Sequence, residues 1–151
     1  MPRSFKQSER EKPTPPILVA DDDENDVFLL QHAYKNAGLE NPLFVVNDGL
    51  EACDYLEGEG AYADRKSYPL PVLMLLDLKM PRMNGFEVLA RLRTCSQFDK
   101  ITTIVLSGSE MEADNKKARE LGADDYCVKP SGSQALVNLL RELRNRWLLV
   151  S

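Results

Sequence analysis

Asp77 ends an uninterrupted apolar run, Val72-Leu73-Met74-Leu75-Leu76, and is followed by Leu78-Lys79-Met80-Pro81-Arg82-Met83-Asn84-Gly85. Such a run is too short for a membrane span and reads as a strand buried on both faces. Its carboxylate then stands where the strand leaves the sheet, the edge at which open α/β sheets bind ligands. Met80-Pro81 breaks the strand, and Asn84-Gly85 supplies turn chemistry before a helix. Alone, an Asp in this place is an ordinary way to finish a strand. Three other strand ends change its weight. Asp21 and Asp22 follow Ile17-Leu18-Val19-Ala20, Ser107 follows the run 101–106, and Lys129 follows Asp125-Tyr126-Cys127-Val128.

In a parallel sheet these four ends share one edge. The carboxylates of Asp21, Asp22 and Asp77 would there repel one another and raise each other's pKa. A divalent cation relieves that repulsion. All-oxygen donors suit a hard ion, Mg²⁺ or Mn²⁺, whereas zinc would ask for Cys or His. A carboxylate beside such an ion can be a ligand or a nucleophile, and Asp nucleophiles form aspartyl-phosphate. Phosphoryl transfer needs positioning and charge neutralisation more than covalent help. Lys129 offers positive charge, and the Ser107 hydroxyl can donate to a phosphoryl oxygen.

The elements that must position these groups alternate along the chain. After the strand 17–20, an acidic stretch caps a helix whose Val27, Leu30, Ala33 or Tyr34, and Ala37 have helical spacing, with Gly38 at its end. A strand at 43–46 precedes Asp48-Gly49-Leu50-Glu51, which has capping-box spacing, and a helix burying Leu50, Cys53 and Leu56. Residues 57–71 form a connection longer than usual, a candidate partner-binding loop. Phe86, Leu89 and Leu92 mark the inner face of the next helix. A largely polar helix over 112–121 turns Ala118 and Leu121 inward, and Gly122 ends it. A last helix from Ser133 carries Leu136, Leu139, Leu140, Leu143 and Trp147. Five strands alternating with five helices predict a doubly wound parallel sheet covered on both faces, with right-handed crossovers. A barrel would need eight such units.

Composition narrows the function. A length of 151 residues suits one domain with a real core, and the net charge of −5 argues against generic nucleic-acid binding. No apolar stretch reaches transmembrane length, and no secretory signal opens the chain, so the expected setting is cytoplasmic, away from membranes. Cys53, Cys95 and Cys127 form no CxxC pair and read as reduced thiols. Residues 1–15, with Pro13 and Pro15, lack periodicity and read as a flexible arm. No Gly-x-Gly-x-x-Gly or Walker lysine motif indicates nucleotide binding.

The motifs Val19-Ala20-Asp21-Asp22, Leu75-Leu76-Asp77 through Gly85, Val105-Leu106-Ser107-Gly108 and Asp125 through Lys129-Pro130 resemble the receiver domain of two-component response regulators. The resemblance spans nearly all of residues 16–147. It implies a flavodoxin-like (βα)5 fold with strand order 2-1-3-4-5. It implies that Asp77 is the phosphoacceptor and that Asp22, Asp77 and the backbone carbonyl of Lys79 hold Mg²⁺ with help from Asp21. Ser107 with Gly108 is then the switch segment, Tyr126 the aromatic that moves with it, and Lys129 the phosphate-binding lysine before a cis Pro130. The long 57–71 connection resembles stand-alone regulators that partner phytochrome-type histidine kinases. On that reading residues 16–151 are a receiver domain without an output domain. Its output is then one of three: relay to a histidine phosphotransfer protein, a phosphate sink, or binding of an effector.

A haloacid-dehalogenase-like phosphohydrolase also uses an Asp nucleophile with Mg²⁺, but needs a second acid two residues on, where this chain has Lys79. The expected protein is therefore a phosphorylatable signalling module with at most slow autodephosphorylation, not a turnover enzyme. The wide apolar band of the last helix, Leu136, Leu140 and Trp147 above all, predicts a homodimer through the fourth helix, fifth strand and fifth helix. The alternative is that this segment folds back on its own domain.

Overall fold

A computed structural model describes residues 14–149. The expected N-terminal arm lies outside the described residues except for its last two positions. The elements are β1 (Ile17–Ala20), α1 (Glu24–Ala37), β2 (Leu43–Val46), α2 (Gly49–Glu57), β3 (Leu73–Leu76), α3 (Gly85–Leu92), β4 (Thr102–Ser107), α4 (Glu112–Glu120), β5 (Asp125–Val128) and α5 (Ser133–Leu143). The sheet order is β2-β1-β3-β4-β5, and every pair is parallel. This is the flavodoxin-like arrangement that the alternation predicts.

Period-two alternation divides the sheet between two cores. Leu18, Ala20, Met74, Leu76 and Val105 face Ala52, Leu56, Val88, Leu89 and Ala118 from α2, α3 and α4. Ile17, Val19, Leu73, Leu75, Ile104 and Leu106 face Leu30, Ala33, Val137, Leu140 and Leu143 from α1 and α5. Local signals set the helix ends. Asp23 accepts the N–H groups of Asn25 and Asp26 at the start of α1, and Gly38 ends it in the left-handed region. At α2 the expected box is offset. Asp48 accepts the Glu51 N–H, but Glu51 accepts the N–H of Asn47, one residue earlier. The complete box is at α3, between Asn84 and Glu87.

Two expectations change, and one connection gains a structure. Leu50 and Phe86 are only half-buried, and Ala52, Tyr55 and Val88 take the buried places. The connection 57–71, the candidate partner-binding loop, is anchored. It holds a short 3-10 turn at Gly60–Tyr62, and Arg65 donates to the carbonyls of Tyr55, Leu56 and Tyr68. The expected self-association face also needs correction. Leu140 is 1% exposed within the core between α5, α1 and the sheet, so it is not a surface anchor. Leu136, Trp147 and Leu148 are half-buried against that same core. The apolar band is wide because α5 packs on two neighbours at once, the sheet and α1.

Candidate functional site

The functional residues hang from one further rung of the parallel ladder at the C-terminal sheet edge. The Asp77 N–H bonds Ala20 O at 3.0 Å, the Asp21 N–H bonds Val46 O at 3.1 Å, and the Lys129 N–H bonds Ser107 O at 2.7 Å. Side chains that the sequence separates by up to about a hundred residues are thus brought to one edge. Gly85 closes the floor. Its N–H bonds Leu78 O at 2.9 Å, and a Cβ there would collide with the carbonyl oxygen of Asp77. The β3–α3 loop can approach the end of β3 this closely only because position 85 has no side chain.

Asp21, Asp22 and Asp77 each offer a carboxylate oxygen, and these oxygens lie within 4.8 Å of one another. Asp21 and Asp77 are buried and Asp22 is exposed. Lys129 Nζ donates to Asp21 Oδ2 and Asp77 Oδ2, both at 3.1 Å, and to Asp26 Oδ2 at 2.8 Å. Burial pushes the Asp21 carboxyl above its usual range; the Asp23 N–H and Lys129 oppose this, and the Asp77 charge adds to it. Burial works against the Lys129 ammonium, yet its bond to Asp26 and the charges of Asp77 and Asp21 hold its pKa above the ordinary lysine value. One ammonium therefore contacts three carboxylates, with Asp22 a fourth acid beside them. That negative excess, in an all-oxygen donor set open on the Asp22 side, fits a hard divalent cation.

Beside the acids is a cleft of about 530 Å³ lined by Asp22, Lys79, Met80, Ser107, Ser109 and Asp114. Ser107 is 1% exposed, and its Oγ accepts the Ser109 N–H at 3.1 Å. Gly108 next to it is exposed. Tyr126 is buried, and its hydroxyl donates to Ser109 O at 2.9 Å. The structure thus brings together Asp21, Asp22, Asp77, Lys79, Ser107 and Lys129. Pro130 departs from expectation: the described residues contain no cis peptide bond. Trans is the default by roughly 0.5–1 kcal/mol even before proline. Here Lys129 continues the β5 ladder and reaches all three carboxylates with that default geometry.

Sequence reasoning missed three residues. Asp26 looked like one more cap acid, yet from the first turn of α1 its carboxylate reaches Lys129 Nζ at 2.8 Å. Asp48 and Arg82 form a pair in which Arg82 Nε and Nη2 donate to Asp48 Oδ2 at 2.9 and 2.7 Å. Arg82 holds a left-handed backbone, φ 63°, while making it. No local signal joins positions so far apart.

This fold and this constellation of acids, lysine and hydroxyl are those of a phosphoaccepting receiver. The family model for the response regulator receiver domain matches residues 17–141, and the chain belongs to that family. Response regulator Rcp1 of Synechocystis is 30% identical over 141 residues, covering 93% of this chain and 94% of its own. The phosphorylated cyanobacterial phytochrome response regulator RcpA is a solved relative with a TM-score of 0.82 and 31% identity, over 91% of this chain and 96% of its own. Response regulator RPA3017, from red light signalling in R. palustris, has a TM-score of 0.86 and 34% identity over the same shares of each chain. Members of this family are signalling proteins that accept a phosphoryl group on an aspartate with a divalent metal, and their partners are histidine kinases. They are not turnover enzymes, and the phosphohydrolase reading is set aside. No helix of the described residues is long and apolar enough to cross a membrane.

Proposed function

We propose that Asp77 is the acceptor in a single-domain response regulator served by a phytochrome-type histidine kinase. The observation that carries this reading is the contact of Lys129 Nζ with Asp77 and Asp21 inside the three-carboxylate cluster. An oxygen of Asp77 attacks the phosphorus of a phosphohistidine. The new O–P bond forms as the P–N bond breaks, and the departing imidazole takes its proton from solvent. Asp22, Asp77 and the Lys79 carbonyl would hold Mg²⁺, with Asp21 helping, and the ion would supply positive charge to the phosphoryl oxygens. Lys129 neutralises further charge. Ser107 turns its hydroxyl to the phosphoryl group, and Tyr126 follows into the space vacated. Hydrolysis of the phospho-aspartate by this chain alone is slow.

Phe28 and Leu29 support a protein phosphodonor. They are 67% and 50% exposed on α1, on the helix that also presents Asp26 to Lys129. An apolar patch of that kind beside the acceptor gives a kinase helix something to bind. The remaining parts of the reading are a cytoplasmic setting, transfer to a histidine phosphotransfer protein or effector, and self-association through α4, β5 and α5. For the last, Tyr126 and Lys129 couple β5 to the site, and Leu136 and Trp147 keep some exposed surface.

The test is incubation of wild type and Asp77→Asn with acetyl phosphate and Mg²⁺, followed by intact mass. One phosphoryl on the wild type and none on the variant is expected. Equal labelling of both overturns the assignment. Sedimentation before and after phosphorylation tests self-association, and a monomer in both states removes that part.

A further inference from the structure

Arg82 is the one residue other than glycine, among the described residues, that holds a left-handed backbone, φ 63°. It is also the middle of a three-residue turn, in which the Met83 N–H donates to Pro81 O at 2.6 Å. A turn of that hand around an L residue is rare and strained, so contacts from outside the turn must hold it. They come from the start of α2. Arg82 Nε and Nη2 both donate to Asp48 Oδ2, at 2.9 and 2.7 Å, while Asp48 Oδ1 accepts the Glu51 N–H at 2.8 Å and caps the helix. One residue further on, Met83 O accepts the Gly49 N–H at 3.0 Å, and a Cβ on Gly49 would collide with that carbonyl.

The loop held in this way leads from Asp77 to α3. Its other fixed point is the Gly85 N–H on Leu78 O. We infer that the Asp48–Arg82 pair is a positioning clamp that keeps this turn left-handed and thereby presets the Lys79 carbonyl for the divalent cation. The inference rests on the proposed reading of Asp22, Asp77 and the Lys79 carbonyl as the metal-holding groups. Without the clamp, Arg82 relaxes toward the backbone regions that an L residue favours. The loop then has two arrangements, and only one presents the carbonyl. A cation that binds that one has its apparent affinity lowered by the fraction of chains that have left it. In this way α2, which gives no ligand to the site, takes part in metal binding. Charge alone predicts the opposite sign, since a positive group taken from the loop would tighten binding of a cation.

The full chain is titrated with Mg²⁺, and separately with Mn²⁺, by calorimetry. Arg82→Ala should weaken binding about three- to tenfold. Asp48→Asn breaks the ion pair but keeps an oxygen for the α2 cap, and it should weaken binding by a similar factor. Arg82→Gly loses the same pair, yet glycine takes a positive φ without strain, so it should bind within about twofold of wild type. Adding Asp48→Asn to Arg82→Gly should change little further, because the clamp then has nothing to hold. Melting curves accompany the titrations. A merely structural pair would lower the melting point in the alanine and glycine variants without separating their metal affinities. Unchanged affinity in Arg82→Ala overturns the clamp. So do equal losses in the alanine and glycine variants, and so does tighter binding in both, which would make charge the cause. Wild type that binds neither ion, or Asp22→Ala that binds as tightly as wild type, overturns the reading of the acids as a metal site, and the clamp with it.

Discussion

The connection after α2 and the loop after β4 differ in a way that length does not predict. The first runs over residues 57–71, yet Arg65 bonds three carbonyls in it and in α2. Tyr55, Tyr62 and Tyr68 pack within 5.0–6.0 Å of one another between ring centroids, and the Tyr55 hydroxyl donates to Pro69 O. The second spans only the few residues between Ser107 and α4, and it is held through one serine. A long segment fixed by a guanidinium and an aromatic cluster has one arrangement. A short segment fixed by exchangeable hydrogen bonds can have two. Anchoring chemistry, rather than residue count, decides which connection can carry a signal.

The contrast breaks most visibly at Arg65. Arg65→Ala strips Leu56 O of its partner, leaves Tyr55 O only the Gly58 N–H, and should cost about 2–4 kcal/mol in urea unfolding. It should leave beryllofluoride affinity unchanged. A loss below about 1 kcal/mol would mean that the aromatic cluster alone fixes the connection. Ser109→Ala is the reciprocal case, with a stability cost of roughly 0.5–1 kcal/mol. Were Arg65→Ala to alter affinity, the two regions would be one cooperative unit.

Tyr55→Phe removes only the bond to Pro69 and should cost about 1 kcal/mol, with the ring packing kept. Acid unfolding then probes the partner contact that joins α2 to the β3–α3 loop. Burial opposes the Asp48 charge, but the Glu51 N–H and Arg82 outweigh it and hold this carboxyl below the usual range. Its folded pKa is depressed, so its stabilisation is complete above about pH 4 and is lost as pH falls through the folded value. Asp48→Asn should flatten that part of the acid limb; an unchanged limb would show that the pair contributes nothing.

Thiol labelling gives the smallest effect and the finest comparison. Burial pushes Cys53, under the anchored side, and Cys127, on β5, both up to about 11. Both should label slowly at pH 8. Phosphorylation should accelerate Cys127 and leave Cys53 unchanged, because of the two only Cys127 lies on β5, which contacts the β4–α4 loop through Tyr126. Equal acceleration of the two, read by mass after proteolysis, would contradict a change confined to that side.

How legible each residue was depended on the range of its partners. The apolar runs ending at Asp77 and Ser107 could be read directly, since a strand buried on both faces needs a continuous run. The cap at Asp23 and the stop at Gly38 were equally readable, being contacts within a turn. Leu140 was misplaced because apolar spacing on a helix gives a band but not the number of neighbours that cover it. Pro130 was misassigned because nothing in a Lys-Pro pair reports its isomer.

The sequence by itself determined the alternation of strands and helices and the acids, hydroxyl and lysine at four strand ends. It could do so because hydrophobic period and turn chemistry are properties of neighbouring residues. Only the tertiary structure decided that Asp26 joins Asp21 and Asp77 on Lys129, a contact spanning 103 residues in the chain. It alone tied Arg82 to Asp48 across 34 residues and set Arg65 against the end of α2. Such pairings form where the parallel ladder and the packed helices bring distant side chains within a few ångströms, and no local pattern encodes that distance.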